Sequence, residues 1–574
     1  MQATLQPAEA LKRPAVRLSD IAVILGVLTI LAFIAKTGAG MLVHFTPPKV
    51  VPHVDLDPHD LPYYAARSTL RMFVALIWSI VFTFAYGYAA ARSKRAERVL
   101  IPALDILQSV PVLGFLSITV TGFIALFPGS LLGLEFASIF AIFTAQVWNM
   151  TFSFYQSLRT VPKELEEAAA LYRLSSWQRF TKLEVPWSMI GLVWNAMMSF
   201  GGSWFFLAAS EAISVLNQKY TLPGVGSYVA AAVDAKDLHA LGWAALTIAI
   251  VIVIVDQFFW RPVVAWADKF RFEQSASSDP PRSWVYDLVH ESELPQRIGR
   301  FFAPLRDGFN AAMTALTKPR DRWPIMDSPW SDRIFNAALI VITTGLIALG
   351  VTFVLKTVGL AEVGRVILLG FATMARVLVL LVFATLVWTP IGVAIGFSPR
   401  LARVLQPVAL FLASFPANFV FPFATLAFIT YHIPINWGSI LFMALGSQWY
   451  ILFNAIAGAQ TIPTDMREMA DDIELRGWLR WHRLIIPGIF PSWVTGAITA
   501  SGGAWNASIV SEIVSWGSTT LTAFGLGSYI ADATNRGDWP RITLGVGVMA
   551  IFVVVLNRTV WRRLYRIGET RFAR

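Results

Sequence analysis

The 574-residue sequence contains no cysteine, and only 14% of its residues are charged. The first absence excludes disulfides and thiol chemistry without fixing a compartment. The second excludes an ordinary soluble domain, in which about a quarter of residues carry charge. No G-x-x-x-x-G-K-[ST] stretch occurs, so ATP binding through a phosphate-cradling loop is not expected of this chain. Asp, Glu, Lys and His are nearly missing from the middles of the long apolar runs. That leaves no ionisable relay of the kind ion-coupled translocation needs. His44, His53 and His59 share one loop with Asp55, Asp57 and Asp60, but the spacing fits no metal-site pattern and no metal is expected.

What the sequence does contain is hydrocarbon. Apolar residues make up 56% of it, more than a soluble core can use, so lipid is the expected solvent. Runs long enough to cross about 30 Å of hydrocarbon lie near 20–43, 69–91, 102–127, 134–157, 187–211 and 239–263. A second set lies near 334–357, 373–397, 405–430, 436–460, 488–514 and 540–563, which makes twelve in two sets of six. Many tryptophans, among them Trp260, Trp323, Trp330 and Trp561, stand at the ends of these runs, as membrane interfaces favour. The run at 21–36 follows Lys12, Arg13 and Arg17 and reads as an uncleaved first span.

Basic segments recur at alternate connections: 91–98, 162–186, 260–272, 398–403, 463–487 and the C-terminal stretch after Val560. The excess of cytoplasmic Lys and Arg in membrane proteins places these segments and both termini in the cytoplasm. It also accounts for the net charge of +10 better than nucleic-acid binding does. Residues 264–332 are polar and open with a Ser/Pro/Asp-rich linker. Within them Ile298, Phe302, Leu305, Phe309, Ala312 and Leu316 fall at helical spacing beside Arg297, Arg300 and Arg306. One or two short helices on the inner membrane face are expected, interrupted by Pro304 and Gly308; a disordered tether is the alternative.

The two halves repeat. At an offset of 305, Arg71 matches Arg376, Gly87 matches Gly392, Ser109 matches Ser414 and Pro111 matches Pro416. At an offset of 301, Trp148 matches Trp449 and Pro186 matches Pro487, while "GGSWFFLAASE" at 201–211 matches "GGAWNASIVSE" at 502–512. "GVGSY" and "GLGSY" follow in turn. The expected architecture is an all-α polytopic membrane protein with twelve transmembrane helices in two tandem six-helix domains, 1–263 and 333–574, joined by 264–332. An even number of spans gives both copies one orientation, with a pathway between them.

The segments "PKELEEAAALYRLSSWQRFTKLEVP" and "PTDMREMADDIELRGWLRWHRLIIP" are charged helices set between apolar runs at matched places. Proline suits a helix start, and the acidic residues that follow favour its N-terminus. Glu167, Ala168 and Ala169, with Leu183, Val185 and Pro186, resemble the cytoplasmic loop of binding-protein-dependent (type I) ABC importer permeases. Glu468, Ala470, Leu484, Ile486 and Pro487 repeat the pattern. Both copies depart from it where the family has glycine, at Arg173 and Glu474; Gly477 comes three residues later. That departure weakens the expectation of a tight turn and implies unequal grips on the partner. The "GGxWxxxxxSE" and "GxGSY" stretches are most similar to permeases for nitrate, taurine, alkanesulfonates and bicarbonate, here as two fused copies.

The resemblance implies a permease of an ATP-driven importer in the bacterial inner membrane. Two copies of an ABC ATPase would sit under the two loops and carry ATP and Mg, and a periplasmic substrate-binding protein would stand above. The chain itself would be no enzyme and hold no cofactor. A helix from Pro186 places Gly201 and Gly202 about 22 Å along and Glu211 about 37 Å along. Hence Gly201, Gly202, Trp204, Gly502, Gly503 and Trp505 are candidate pathway residues inside the bilayer, where glycine permits close packing or a helix break. Ser203 and Asn506 differ beside the glycines and could bond a substrate. Glu211 and Glu512 are read as structural caps. Arg71 and Arg376 could draw an anion into the mouth, or snorkel to headgroups. A secondary transporter with two parallel halves and a non-transporting membrane scaffold are the competing readings.

Overall fold

In hydrocarbon a backbone must satisfy its own hydrogen bonds, so long apolar runs have one local solution, the helix. The computed structural model describes residues 18–39, 41, 54–109, 116–215, 218–270, 283–317 and 329–568. Among them nine helices are long and apolar enough to span a membrane, including Leu360–Phe397, Ile435–Gln460 and Trp539–Leu564.

The other three expected spans take different forms. Helix Leu132–Arg159 is continuous over 28 residues but falls short of the nine in hydropathy. The run at 405–430 is broken: helix Pro399–Ser414 ends, Phe415 and Pro416 are extended, and a single turn at Ala417–Phe419 leads into helix Phe421–Thr430. Proline removes a donor and pushes the residue before it out of the helical region, so the run is interrupted there. In the first copy helices Lys94–Ser109 and Leu116–Leu126 flank the matching place; Pro111 lies outside the described residues, as do His44 and His53.

The chain divides into two compact units. The larger comprises 38–160, 194–253 and 324–574. Its helices approach closely at small residues. A methyl group on Gly392 would meet the Ala455 Cβ at 2.7 Å, and one on its mate Gly87 would meet the Phe154 ring at 2.7 Å. Ala455 and Phe154 are themselves repeat mates, so both copies use the same crossing. After each fifth span comes a feature the all-helical expectation lacked, an antiparallel hairpin. It joins Ala212–Val215 to Gln218–Thr221 in one copy and Ile513–Trp516 to Thr519–Thr522 in the other. Short helices Val225–Ala235 and Leu526–Arg536 follow.

The smaller unit comprises 1–37, 161–193 and 254–323. It holds helix Leu18–Ala39, the first charged helix Lys163–Leu171, and three linker helices, Trp284–Glu291, Leu294–Phe301 and Ala303–Leu316. Pro304 sits in the first turn of the last, where it costs no hydrogen bond, and Gly308 lies inside that helix without breaking it.

Candidate functional site

Arg71 and Arg376 are buried, which corrects both sequence readings of them: neither lines a mouth nor reaches headgroups. In the first copy the Arg71 guanidinium donates to Glu135 (2.5 and 2.8 Å), to Glu211 (2.6 Å) and to the Pro223 carbonyl (3.0 Å). Arg67 pairs with Glu135 as well. Ser68 Oγ donates to Glu211 at 2.5 Å and accepts from the Val225 amide at 3.0 Å. The other Glu211 oxygen accepts from the Gly226 amide at 2.7 Å. The second copy repeats the design. Arg376 donates to Glu512 (2.8 Å), to Asn436 Oδ1 (2.9 Å) and to the Phe524 carbonyl (2.8 Å), and Thr373 replaces Ser68.

One exchange keeps the charge balanced. Where the first copy has Arg67 and Glu135, the second has Ala372 and Asn436. Each cluster is therefore neutral, as burial requires, because an unpaired buried charge costs several kcal/mol. Glu211 and Glu512 are structural in this geometry: each ties the "GxGSY" segment to the second helix of its copy. Gly224 and Gly525 leave room for them, since a methyl group at either would overlap the carboxylate.

A cavity of about 130 Å³ lies within the larger unit, walled by both copies. The first copy contributes Gln108, Thr144, Asn149, Gly202, Phe205 and Phe206; the second contributes Tyr450, Thr499, Gly502, Gly503 and Asn506 among others. Gly202, Gly502, Gly503 and Asn506, candidate pathway residues from the sequence, are among the residues that line it. Helices Val185–Glu211 and Ile486–Ser511 run through the glycine pairs without a break, so glycine supplies space there. Gly201 is a packing residue: a methyl group on it would meet Ser414 Oγ at 2.6 Å.

Trp204 and Trp505 do not line the cavity. They are buried in the core, against Phe200 (6.0 Å between rings) and Phe552 (6.0 Å) respectively. Ser203 is buried too, donating to the Phe200 carbonyl at 2.8 Å and accepting from Gln146 at 3.0 Å. The polar lining residues that sequence reasoning missed are Gln108, Thr144, Asn149, Tyr450 and Thr499. Their signal was polarity inside apolar runs, which in lipid demands a partner or a wet surface.

The charged helices are Lys163–Leu171 and Thr464–Asp472, with Pro162 and Pro463 at their N-caps, one residue ahead of the expected first turn. Both end in the tight turn that the missing glycine made doubtful. Arg173 and Glu474 each have φ +50°, in the left-handed region. The Leu174 amide bonds the Ala169 carbonyl at 3.1 Å, and the Leu475 amide bonds the Ala470 carbonyl at 2.8 Å. These are the long bonds of a Schellman motif, made here without glycine. Gly477 also has a positive φ, +57°. Ala169 and Ala470 are buried, whereas Glu167 and Glu468 are exposed and Ala168 is half-buried. Leu171 and Tyr172 at the end of the first helix, and Met469 and Ile473 at the end of the second, are exposed side chains with apolar bodies.

A duplicated, predominantly helical polytopic protein, with a cavity walled by both repeats and one charged helix per repeat, belongs by architecture among membrane permeases. The family described as binding-protein-dependent transport system inner membrane component matches residues 79–259 and again 388–574. The chain belongs to this family and carries its domain twice. Similar proteins include the nitrate import permease protein NrtB of Leptolyngbya laminosa, 25% identical over 189 residues, 33% of this chain and 64% of that one. The bicarbonate transport system permease protein CmpB of Synechocystis sp. is 28% identical over 178 residues, 31% of this chain and 60% of that one. The taurine transport system permease protein TauC of Escherichia coli is 25% identical over 198 residues, 34% of this chain and 68% of that one. The chain therefore spans less than two thirds of the first two relatives.

Proposed function

We propose that the chain is the fused translocation subunit of an ATP-driven importer of a small anion. Its permease domains would be 1–263 and 333–574, and it would lie in the bacterial inner membrane with both termini cytoplasmic. The observation that carries this reading is the pair of charged helices, each closed by the same left-handed turn and each exposing apolar side chains. Such levers fit two copies of a separate ABC ATPase, which would hold ATP and Mg. A periplasmic binding protein would deliver the cargo. Closure of the ATPases would move the levers, and the attached helices would rock as rigid bodies around the cavity. Nitrate, bicarbonate and taurine, named for the relatives, are the first cargoes to test.

The cavity suits a small, hydrated anion. Its polar walls, Gln108, Asn149, Tyr450 and Asn506, offer hydrogen-bond donors without a fixed charge. A neutral donor set lets an anion enter and leave, whereas a buried cation would hold it.

The test is uptake into proteoliposomes holding this chain, the ATPase and the binding protein. ATP-dependent uptake should disappear in Glu167→Arg together with ATPase association. In Asn506→Phe uptake should fall while ATPase association remains. Uptake driven by an ion gradient with no ATPase present would establish the secondary-transporter reading instead.

A further inference from the structure

Within the smaller unit the linker helices grip the segment that follows the first lever. Trp177, just after the first lever, donates through Nε1 to Asn310 Oδ1 at 3.0 Å and lies edge-on to Phe309 with ring centres 5.7 Å apart. The Ser176 amide bonds the Thr317 carbonyl at 3.3 Å, and the Trp177 amide bonds Thr317 Oγ1 at 3.2 Å. All four contacts come from helix Ala303–Leu316 and the residue that ends it. The repeat mate of Trp177 is Trp478, which is 74% exposed.

The same linker carries an apolar stripe at helical spacing: Ile298, Phe301, Phe302, Leu305 and Phe309. One end of it, Phe309, meets Trp177. The rest is uncovered, with Phe301 79% and Leu305 72% exposed. Arg297, Arg300 and Arg306 flank it, Arg297 pairing with Glu293 at 2.9 Å and Arg306 with Asp307 at 3.0 Å.

Two contacts set the level at which the stripe begins. Asp20, in the first turn of candidate span Ser19–Ala39, accepts from Ser292 Oγ at 2.6 Å and from the Glu293 amide at 2.9 Å. Phe258, in candidate span Leu238–Phe270, packs edge-on against Trp284 at 5.4 Å. Helix Leu294–Phe301 thus starts at the end of a membrane-crossing helix, where the boundary between hydrocarbon and headgroups lies.

We infer that the stripe over Ile298–Leu305, flanked by its three arginines, docks on an anionic lipid surface, and that through Phe309, Asn310 and Thr317 this surface anchors the first lever alone. An amphipathic helix with arginine beside phenylalanine and leucine lies in that interface, and each cation near an anionic surface adds to the attraction. The two levers are then unequal in their attachment as well as in sequence. The inference rests on the smaller unit's own contacts, and its test needs neither ATPase nor cargo, so it can fail while the transport reading stands.

The absence of cysteine provides a clean background for the test. Leu305→Cys in the full chain is labelled with bimane and reconstituted into phosphatidylcholine vesicles with or without phosphatidylglycerol. Brominated lipid should quench the label in phosphatidylglycerol vesicles, and quenching should be lost when Arg297→Gln, Arg300→Gln and Arg306→Gln are combined. Leu386→Cys, exposed on a candidate span, reports lipid contact in every sample and so shows that each variant is inserted. Amide exchange should slow over 163–179 when phosphatidylglycerol is added and stay unchanged over 464–480. Quenching by aqueous iodide with none by brominated lipid would overturn the inference. So would quenching indifferent to lipid charge, or equal responses of the two levers.

Discussion

At the residue scale, the buried charges make the sharpest prediction. Arg67→Ala leaves Glu135 in excess, and Glu135→Asn leaves an arginine in excess. Each single change should cost about 3–5 kcal/mol, the penalty for breaking a buried pair. The double variant recreates the Ala372 and Asn436 of the second copy and should recover most of that loss. Thermal unfolding in detergent reads the cycle; a double variant as unstable as the sum of the singles would refute neutrality as the rule. Gly224→Ala and Gly525→Ala should each destabilise by about 1–3 kcal/mol by overpacking the carboxylate. Sequence alone marked Arg71 and Arg376 as matched cations in apolar surroundings, but their partners come from other helices, and pairing across space leaves no local pattern. The tryptophans were misplaced for a geometrical reason. Two residues along a helix turn it by about 200°, so Trp204 points away from the wall that Gly202, Phe205 and Phe206 build.

At the element scale, the lever turns hold an inexpensive stabilisation. A non-glycine residue in the left-handed region costs about 1 kcal/mol or slightly more. Arg173→Gly and Glu474→Gly should therefore strengthen their turns by about that much, seen as slower amide exchange at Leu174 and Leu475. Faster exchange in both would show that the side chains, and not the backbone, hold the turn. The levers themselves were legible, because proline, acidic residues and alanine repeat at matched positions. Length and hydropathy likewise disclosed the long spans. The broken third runs were only half legible: Pro416 announced a disturbance, but the extended Phe415 and Pro416 depend on what packs around them. The hairpins were not legible at all, since four-residue strands carry too few alternations to stand out from the span that precedes them.

At the scale of the whole molecule, duplication was plain from the sequence, and the cavity between the copies followed from it. What the repeat could not disclose is how far its walls have diverged. Asn149 faces the cavity in one copy where Tyr450 does in the other, and Phe205 where Asn506 does. Phe205→Asn should enlarge the space and add a donor, shifting cargo preference in competition assays. Asn506→Phe should close it and lower uptake of every cargo; equal effects of the two would mean that neither wall selects.

Those unlike walls have a further consequence. A cavity assembled from two identical halves presents any guest with two interchangeable poses. Joining the halves in one polypeptide lets phenylalanine settle across from asparagine for good, so a lopsided guest entering this cavity would meet a single preferred heading.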